Sequence, residues 1–360
     1  MRGWGNLPEL GWKVRLYKEG DEAGIVRLMN LEPREREYLM ARWMWRYKNN
    51  PYGFITAVGV HDDEIVGHMG LFLMKIKVGD QTIMGSQASE LVVHPNFRRQ
   101  GMFLTIGKTI MKKAFEEKVW LTYGFPNPPA YRGHLKYGWF DVSMIPVLVT
   151  YLNTYEATKN KWTKLKGFDP IMKRFSRFVD YFYSSKRQRK LPAAENVSIT
   201  EISSFDERIN EFWSRMVKNY SIAVVRNCEY LNWRYFQNPE INYKVFLAEK
   251  NQVEGFLVTA IQESKGRKVG YFIDVLSTSM DVFQNLICAT IEHLSRQSVD
   301  SIKCLMLKNH VWYKTLKEHG FTDFTHPKLR MCARVNSSHF FPPYKMAKEW
   351  YVTYGDCDFL

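Results

Sequence analysis

The sequence predicts an α/β chain of two tandem domains. Three observations carry that expectation. The chain has 360 residues, 45% of them hydrophobic, enough to bury two cores at roughly 100–200 residues per domain. Apolar runs of strand length alternate with apolar residues at helical spacing. A set of features also recurs, in the same order, in both halves.

The recurrence is specific. Residues 45–51 read "WRYKNNP" and residues 233–239 read "WRYFQNP". Gly67 lies 16 residues after Pro51, and Gly255 lies 16 after Pro239. Asn127, Tyr131 and Gly138 are spaced by 4 and 7 residues, as are Asn309, Tyr313 and Gly320. Both halves open alike, "KVRLYKEGDEAGIVRLMN" and "VSITEISSFDERINEFWSRM", each a strand-like run, a polar turn with Asp and an amphipathic helix. Such order indicates a diverged tandem duplication. The aromatic residues Trp45, Tyr47, Trp233 and Tyr235 read as core packing at the end of a helix rather than as substrate contacts.

Composition narrows the class. No run approaches the ~18 apolar residues of a membrane span, and "MRGWGNLPEL" reads as lacking the apolar segment of a signal peptide. Cys228, Cys288, Cys304, Cys332 and Cys357 are odd in number and form no C-x-x-C pair. They argue for a reducing cytoplasm and against a disulfide framework or a metal site. A net charge of +14 favours anionic partners.

In the first domain, residues 87–93 read as a central strand that Pro95 ends by removing a ladder donor. From Gly101 onward, Phe103, Ile106, Ile110, Ala114 and Phe115 follow a 3.6-residue period, with Lys108, Lys112 and Lys113 on other faces. The turn "HPNFRRQGMF" therefore sets two arginines and a glycine against the unpaired amides of a helix N-terminus, where a pyrophosphate fits. "GMFLTIGKT" imitates a phosphate-binding Walker loop, but Gly107 lies six positions after Gly101, one too many, and falls inside the helix. Hydrolysis by a P-loop is rejected. The corresponding stretch of the second half, "YFIDVLSTSMDVFQN", has neither the arginines nor the glycine.

The residues "VVHPNFRRQGMF" and "PNPPAYRGHLKYGWF" resemble the GNAT acyl-CoA N-acyltransferase superfamily, well over residues 12–150 and in outline over 197–335. The resemblance implies two GNAT-like domains, each a mixed, mostly antiparallel sheet flanked by helices. It implies acetyl-CoA or another acyl-CoA as cosubstrate, with Arg98, Arg99, Gln100, Gly101, Met102 and Phe103 around its pyrophosphate. The family usually has Gly or Ala where this chain has Phe103, which sets the helix start slightly farther from the phosphates. Backbone N–H groups at Leu91, Val92 and Val93 would polarise the thioester carbonyl, with Asn127 also near the cofactor. The amine then attacks directly, without an acyl-enzyme. All five cysteines lie beyond residue 227, outside the stretch that carries the turn, which disfavours a cysteine nucleophile.

Three residues are candidates for proton transfer. Glu90 is the first choice as general base, beside a plain reading as a strand-end carboxylate paired with a lysine. The family's general acid is a tyrosine seven residues after the Asn; counting from Asn127 that position is His134, with Tyr131 one helical turn earlier, and both can donate. The tail "WYVTYGDCDFL" offers its terminal carboxylate as another base, as in some two-domain relatives, beside a plain reading as a frayed acidic end.

The expected organisation is a catalytic domain over residues 1–150, a basic amphipathic linker over 151–195, a degenerate domain over 196–335 and a tail over 336–360. Residues 159–190 hold eleven Lys or Arg and two acidic residues; such a helix can serve as a linker or make weak contact with an anionic membrane. No specific nucleic-acid motif accompanies the charge. The expected activity is transfer of an acetyl or other short acyl group from coenzyme A to a primary amine of a small molecule, amino sugar or peptide, with an anionic acceptor suiting the charge. The alternatives are a tandem GNAT-like aminoacyl transferase using charged tRNA, and a non-catalytic acyl-CoA or ligand-binding protein.

Overall fold

In the computed structural model, which describes residues 11–31, 37–155, 174, 176, 196–264, 266–337 and 349–358, the β-branched runs become strands and the 3.6-residue patterns become helices. The elements fall into two units. One comprises Met1–Lys75, Ile83–Phe140 and Cys332–Phe341, the other Ile76–Thr82, Asp141–Met331 and Pro342–Leu360. The basic stretch at residues 159–190 lies, but for Arg174 and Ser176, outside the described residues.

Unit 1 contains β1 (Lys13–Leu16), α1 (Glu22–Met29), α2 (Met40–Trp43), a π-helical turn (Met44–Lys48), β2 (Phe54–His61) and β3 (Glu64–Val78). It continues with β4 (Gln81–Val93), α3 (Met102–Glu116), β5 (Leu121–Gly124) and α4 (Pro128–Leu135). The strands lie in the order β1-β2-β3-β4-β5. β1 and β2, and β2 and β3, pair antiparallel, whereas β4 and β5 are parallel. The outer side of β5 is closed by a strand from far along the chain, with Cys332 opposite Gly124 and Val335 opposite Leu121.

One face of this sheet carries α3. Met102, Ile106, Ile110, Met111 and Ala114 are buried against Ala57, Met69 and Leu71, and a core of this kind is worth about 1.5–3 kcal/mol per fully buried large side chain. Gly59 and Gly67 let the helix approach closely, because a Cβ at either would fall 2.7 Å from the Met102 sulfur. Gly107, the false P-loop glycine, has a packing purpose. A Cβ there would meet the Tyr137 ring at 2.7 Å.

Unit 2 contains β6 (Phe140–Tyr151), β7 (Ser198–Ile202), α5 (Arg208–Met216), β8 (Ile222–Val224), α6 (Cys228–Leu231) and a second π-helical turn (Asn232–Phe236). β9 (Lys244–Glu249), β10 (Val253–Ser264), β11 (Arg267–Ser277), α7 (Met280–Arg296), β12 (Ser301–Leu305), α8 (Val311–Glu318) and β13 (Thr322–Val335) follow. Here the order is β6-β12-β11-β10-β9-β7. β11 and β12 are parallel and the other pairs antiparallel, so each unit is mixed and mostly antiparallel. Both WRY segments form π-helical turns, at the same place in each element order.

The tail is not a frayed end. Trp350, Tyr351, Val352, Thr353, Asp356 and Cys357 are all buried within unit 2. Arg226 donates to Asp356 at 2.8 Å and to Asp274 at 3.1 Å, and Arg234 donates to the carbonyls of Gly355 and Cys357. Buried backbone and charge partners hold the segment where exposed acidic residues alone would not. Phe359 and Leu360, with the terminal carboxylate, lie outside the described residues.

Candidate functional site

β4 outruns its parallel partner. Its register with β5 ends at Gln87 opposite Tyr123, and β5 itself ends at Gly124, while β4 continues to Val93. Residues 88–93, including Leu91, Val92 and Val93, thus lie beyond that ladder, yet the strand stays anchored on the other side, where the His94 N–H donates to the Val66 carbonyl at 2.8 Å. The ladder between the two parallel strands thus leaves a gap in pairing there.

The arginine turn leads from that gap into α3. Pro95–Phe97 makes a single 3-10 turn. Arg98 folds back so that its Nε donates to the Val93 carbonyl at 3.0 Å. Gln100 is pinned at both ends, donating to the Asn96 carbonyl at 3.0 Å and accepting from Trp12 Nε1 at 3.2 Å. Arg99 and Gly101 have φ of 64° and 91°, and the second of these admits glycine most readily. Nothing lies within 4 Å of where a Gly101 Cβ would sit, so the glycine serves backbone conformation and leaves open space.

The start of α3 has no side-chain cap. Its first amides have no acceptor within the helix and stand at the positive end of the dipole. The side chain of Met102 is buried and Phe103 packs over Gly133 and His134, so these two residues offer backbone rather than side chain. A pyrophosphate suits this donor set: open glycine, uncapped amides and two exposed arginines. In unit 2 the helix that follows β11 is capped. α7 follows β11 after two residues, and the Ser279 hydroxyl accepts from the Val282 N–H, satisfying the helix end from within.

Glu90 lies in the overrunning part of β4. Its φ is 58°, left-handed backbone in mid-strand for a residue with a Cβ, at a cost of about 1–3 kcal/mol. The carboxylate is buried and fully engaged. Tyr38 and Tyr47 donate their hydroxyls to Oε2 at 2.8 Å each, and Arg46 donates to Oε1. On the main chain, His68 Nδ1 bonds the Glu90 carbonyl at 2.8 Å, which fixes the proton on Nδ1 because a carbonyl only accepts. Burial would raise the carboxyl's pKa, but Arg46, Arg42 and their neighbours outweigh it and hold it below the usual carboxylate value. A general base for an amine wants the opposite shift and a free lone pair.

α4 carries the other candidates. Asn127 caps it, its side chain accepting from the Ala130 N–H at 2.9 Å. Tyr131 is half-buried beside the cluster under α3. His134 is 5% exposed and its Nδ1 bonds the Ala130 carbonyl at 2.8 Å. Burial pushes its pKa down to about 4. At neutral pH it is an uncharged ring with its proton committed inside the helix, so no imidazolium is available there.

Two features escaped sequence reasoning. Tyr38, Arg46, Tyr47 and His68 converge on Glu90 from other elements; the repeated WRY was the available signal, and reading it only as packing missed the hydroxyl and the guanidinium. Cys332 belongs to unit 1, so its position late in the chain is no argument against a nucleophile; its complete burial in the apolar cluster is. Among the described residues there is no group of three His, Cys, Asp or Glu side chains placed to hold a metal, and no helix long and apolar enough to cross a membrane.

Unit 1 is thus a mixed sheet in which one strand runs past its parallel partner and leads into a helix whose N-terminus has no side-chain cap. Residues 13–140, which lie in unit 1 but for Ile76–Thr82, match the acetyltransferase (GNAT) domain model. A GCN5-related N-acetyltransferase from Anabaena variabilis is similar in fold, with TM-score 0.66 and 10% identity, covering 91% of this chain and 73% of that one. So is a probable N-acyltransferase of unknown function from Enterococcus faecalis, with TM-score 0.61 and 13% identity, covering 90% and 72%. N-myristoyltransferase from Saccharomyces cerevisiae, solved with myristoyl-CoA, gives TM-score 0.58 and 11% identity over 91% and 80%. At such identities the likeness is one of fold. No curated protein sequence matches the chain.

Proposed function

We propose that unit 1 is an acyl-CoA-dependent N-acyltransferase that moves an acetyl or other short acyl group to a primary amine. The observation that carries this reading is the uncapped, glycine-started N-terminus of α3 at the mouth of the β4–β5 gap. Amides and guanidinium groups at Arg98, Arg99, Gln100, Gly101, Met102 and Phe103 would hold the pyrophosphate. The thioester would then enter the gap, where backbone N–H groups over Leu91, Val92 and Val93 face the carbonyl oxygen as it gains charge. Attack by a neutral amine forms the C–N bond and breaks the C–S bond; the nitrogen releases its surplus proton to water, and the thiolate leaves with a proton from a nearby acid that water then restores. Tyr131 is the stronger candidate for that acid, because His134 is neutral and its Nδ1 proton is committed to Ala130. Asn127 supports α4 as its cap. Unit 2 reads as a diverged second copy whose helix end is capped by Ser279 and whose carboxylate cluster is occupied by the tail.

The acceptor is a small molecule, amino sugar or peptide, and a net charge of +14 favours one that is anionic. The test is thiol release by the full chain from acetyl-CoA, and from acyl-CoA of increasing chain length, across a panel of amines. Release that depends on both the thioester and an amine supports the reading. Saturable acetyl-CoA binding with no release on any amine contradicts it and identifies a ligand-binding protein.

A further inference from the structure

We infer that Arg46, Tyr47 and His68 are positioning residues that lock the backbone at Glu90 in its left-handed conformation, and so set the direction in which β4 presents its next amides to the gap. The inference rests on the reading of unit 1 as the transferase. It assigns Glu90 an anchoring role in place of proton transfer.

Glu90 is the starting point. A side-chain-bearing residue at φ 58° in mid-strand persists only where its surroundings over-determine it, and such residues gather at functional sites. Here the surroundings do so from three directions. Tyr38 comes from the segment before α2, Arg46 and Tyr47 from the π-helical turn, and His68 from β3. Side chain and carbonyl are therefore both fixed, which leaves the peptide between Glu90 and Leu91 little freedom to rotate. Arg46 also donates to the Ser89 hydroxyl at 3.1 Å, tying down the preceding residue. The location matters as much as the strain. Leu91 is the first residue after the outlier, in the part of β4 that has run past β5.

Unit 2 supplies an internal comparison. It keeps the pair of tyrosine and carboxylate, Tyr235 donating to Asp274 at 2.9 Å. Yet Asp274 is absent from the left-handed residues, its carboxylate is shared with Arg226 and Thr353, and the following helix is capped by Ser279. Strain is present where the helix end is open and absent where it is closed. The register of β11 also shifts beside Asp274, at Val258/Thr259 of β10, but without positive φ.

His68 allows a clean test, because its two nitrogens differ. Nδ1 holds the Glu90 carbonyl, whereas Nε2 is buried without a hydrogen-bond partner. His68→Asn places an amide N–H near the Nδ1 position and deletes Nε2; His68→Leu deletes both. Crystal structures of both variants read the lock directly. Residue 90 should leave the left-handed region in His68→Leu and stay in it in His68→Asn, and a positive φ retained in His68→Leu overturns the inference. Turnover reads its consequence. In His68→Leu kcat should fall about 10- to 100-fold while the acetyl-CoA KM changes less than about 3-fold, and His68→Asn should recover most of the loss with the pH limbs of the wild type. A folded His68→Leu with native kcat, or a His68→Asn as slow as His68→Leu, overturns the positioning role. Should the wild type itself prove silent with acetyl-CoA, the transferase reading fails, and the φ comparison still decides the lock.

Discussion

His134 and Glu90 show how burial sets what a titratable side chain can do. His134 has a folded pKa of about 4 against an ordinary 6.5, so the unfolded chain binds a proton at mildly acidic pH that the folded chain refuses. Its contribution to stability is complete above about pH 6.5 and is lost as pH falls toward 4, a linkage of about 3 kcal/mol. Urea melts across that window should show stability falling with pH, and His134→Gln should flatten the slope. An unchanged slope would contradict the neutral, buried state. The lowered Glu90 pKa acts with the same sign at lower pH, below about 4.5. The turn around Gly101 was legible in the sequence because its demands are local: a proline stop, a residue for positive φ, arginines beside amides. The surroundings of Glu90 were not, because its partners lie 22 to 52 residues away and only the folded sheet brings them together.

At the scale of elements, α3 was legible in its period and less so at its end. Ile106, Ile110 and Ala114 are buried as the 3.6-residue spacing requires, but Phe115 is 56% exposed, one step past the last turn that meets the sheet. The tail was legible only as charge. Its acidic residues suggested solvent, whereas Asp356 is 2% exposed because Arg226 waits for it in unit 2. Truncation after Val352 would remove Asp356 and the two carbonyls to which Arg234 donates. Hydrogen bonds to charged groups are worth about 1.5–3 kcal/mol each, so the truncated chain should lose at least about 3 kcal/mol in a urea melt followed by tryptophan fluorescence. An unaltered midpoint would mean that the segment only rests on unit 2.

For the whole molecule, the linear repeat concealed how the units are completed. Unit 1 closes β5 with Cys332–Val335 and unit 2 pairs β8 with Ile76–Val78 at the end of β3, so each unit includes a strand segment from outside its own long stretch of sequence. Hydrophobic pattern reports that a strand exists, not which edge it joins, and pairings so distant in sequence leave no local mark. The difference between the two helix starts was readable in that one half has two arginines and a glycine at the turn and the other has neither, whereas the Ser279 cap emerged only from the structure. That contrast is the core of the functional account, and one measurement tests it most directly: calorimetric titration of the full chain with acetyl-CoA, beside Gly101→Glu. Nothing lies within 4 Å of the Gly101 Cβ position, so the new side chain has room and acts through its charge and through the strain of φ 91°. The account predicts one saturable site in the wild type and at least a 100-fold loss of affinity in a folded Gly101→Glu. Binding of equal strength in both proteins would place the coenzyme elsewhere and contradict it.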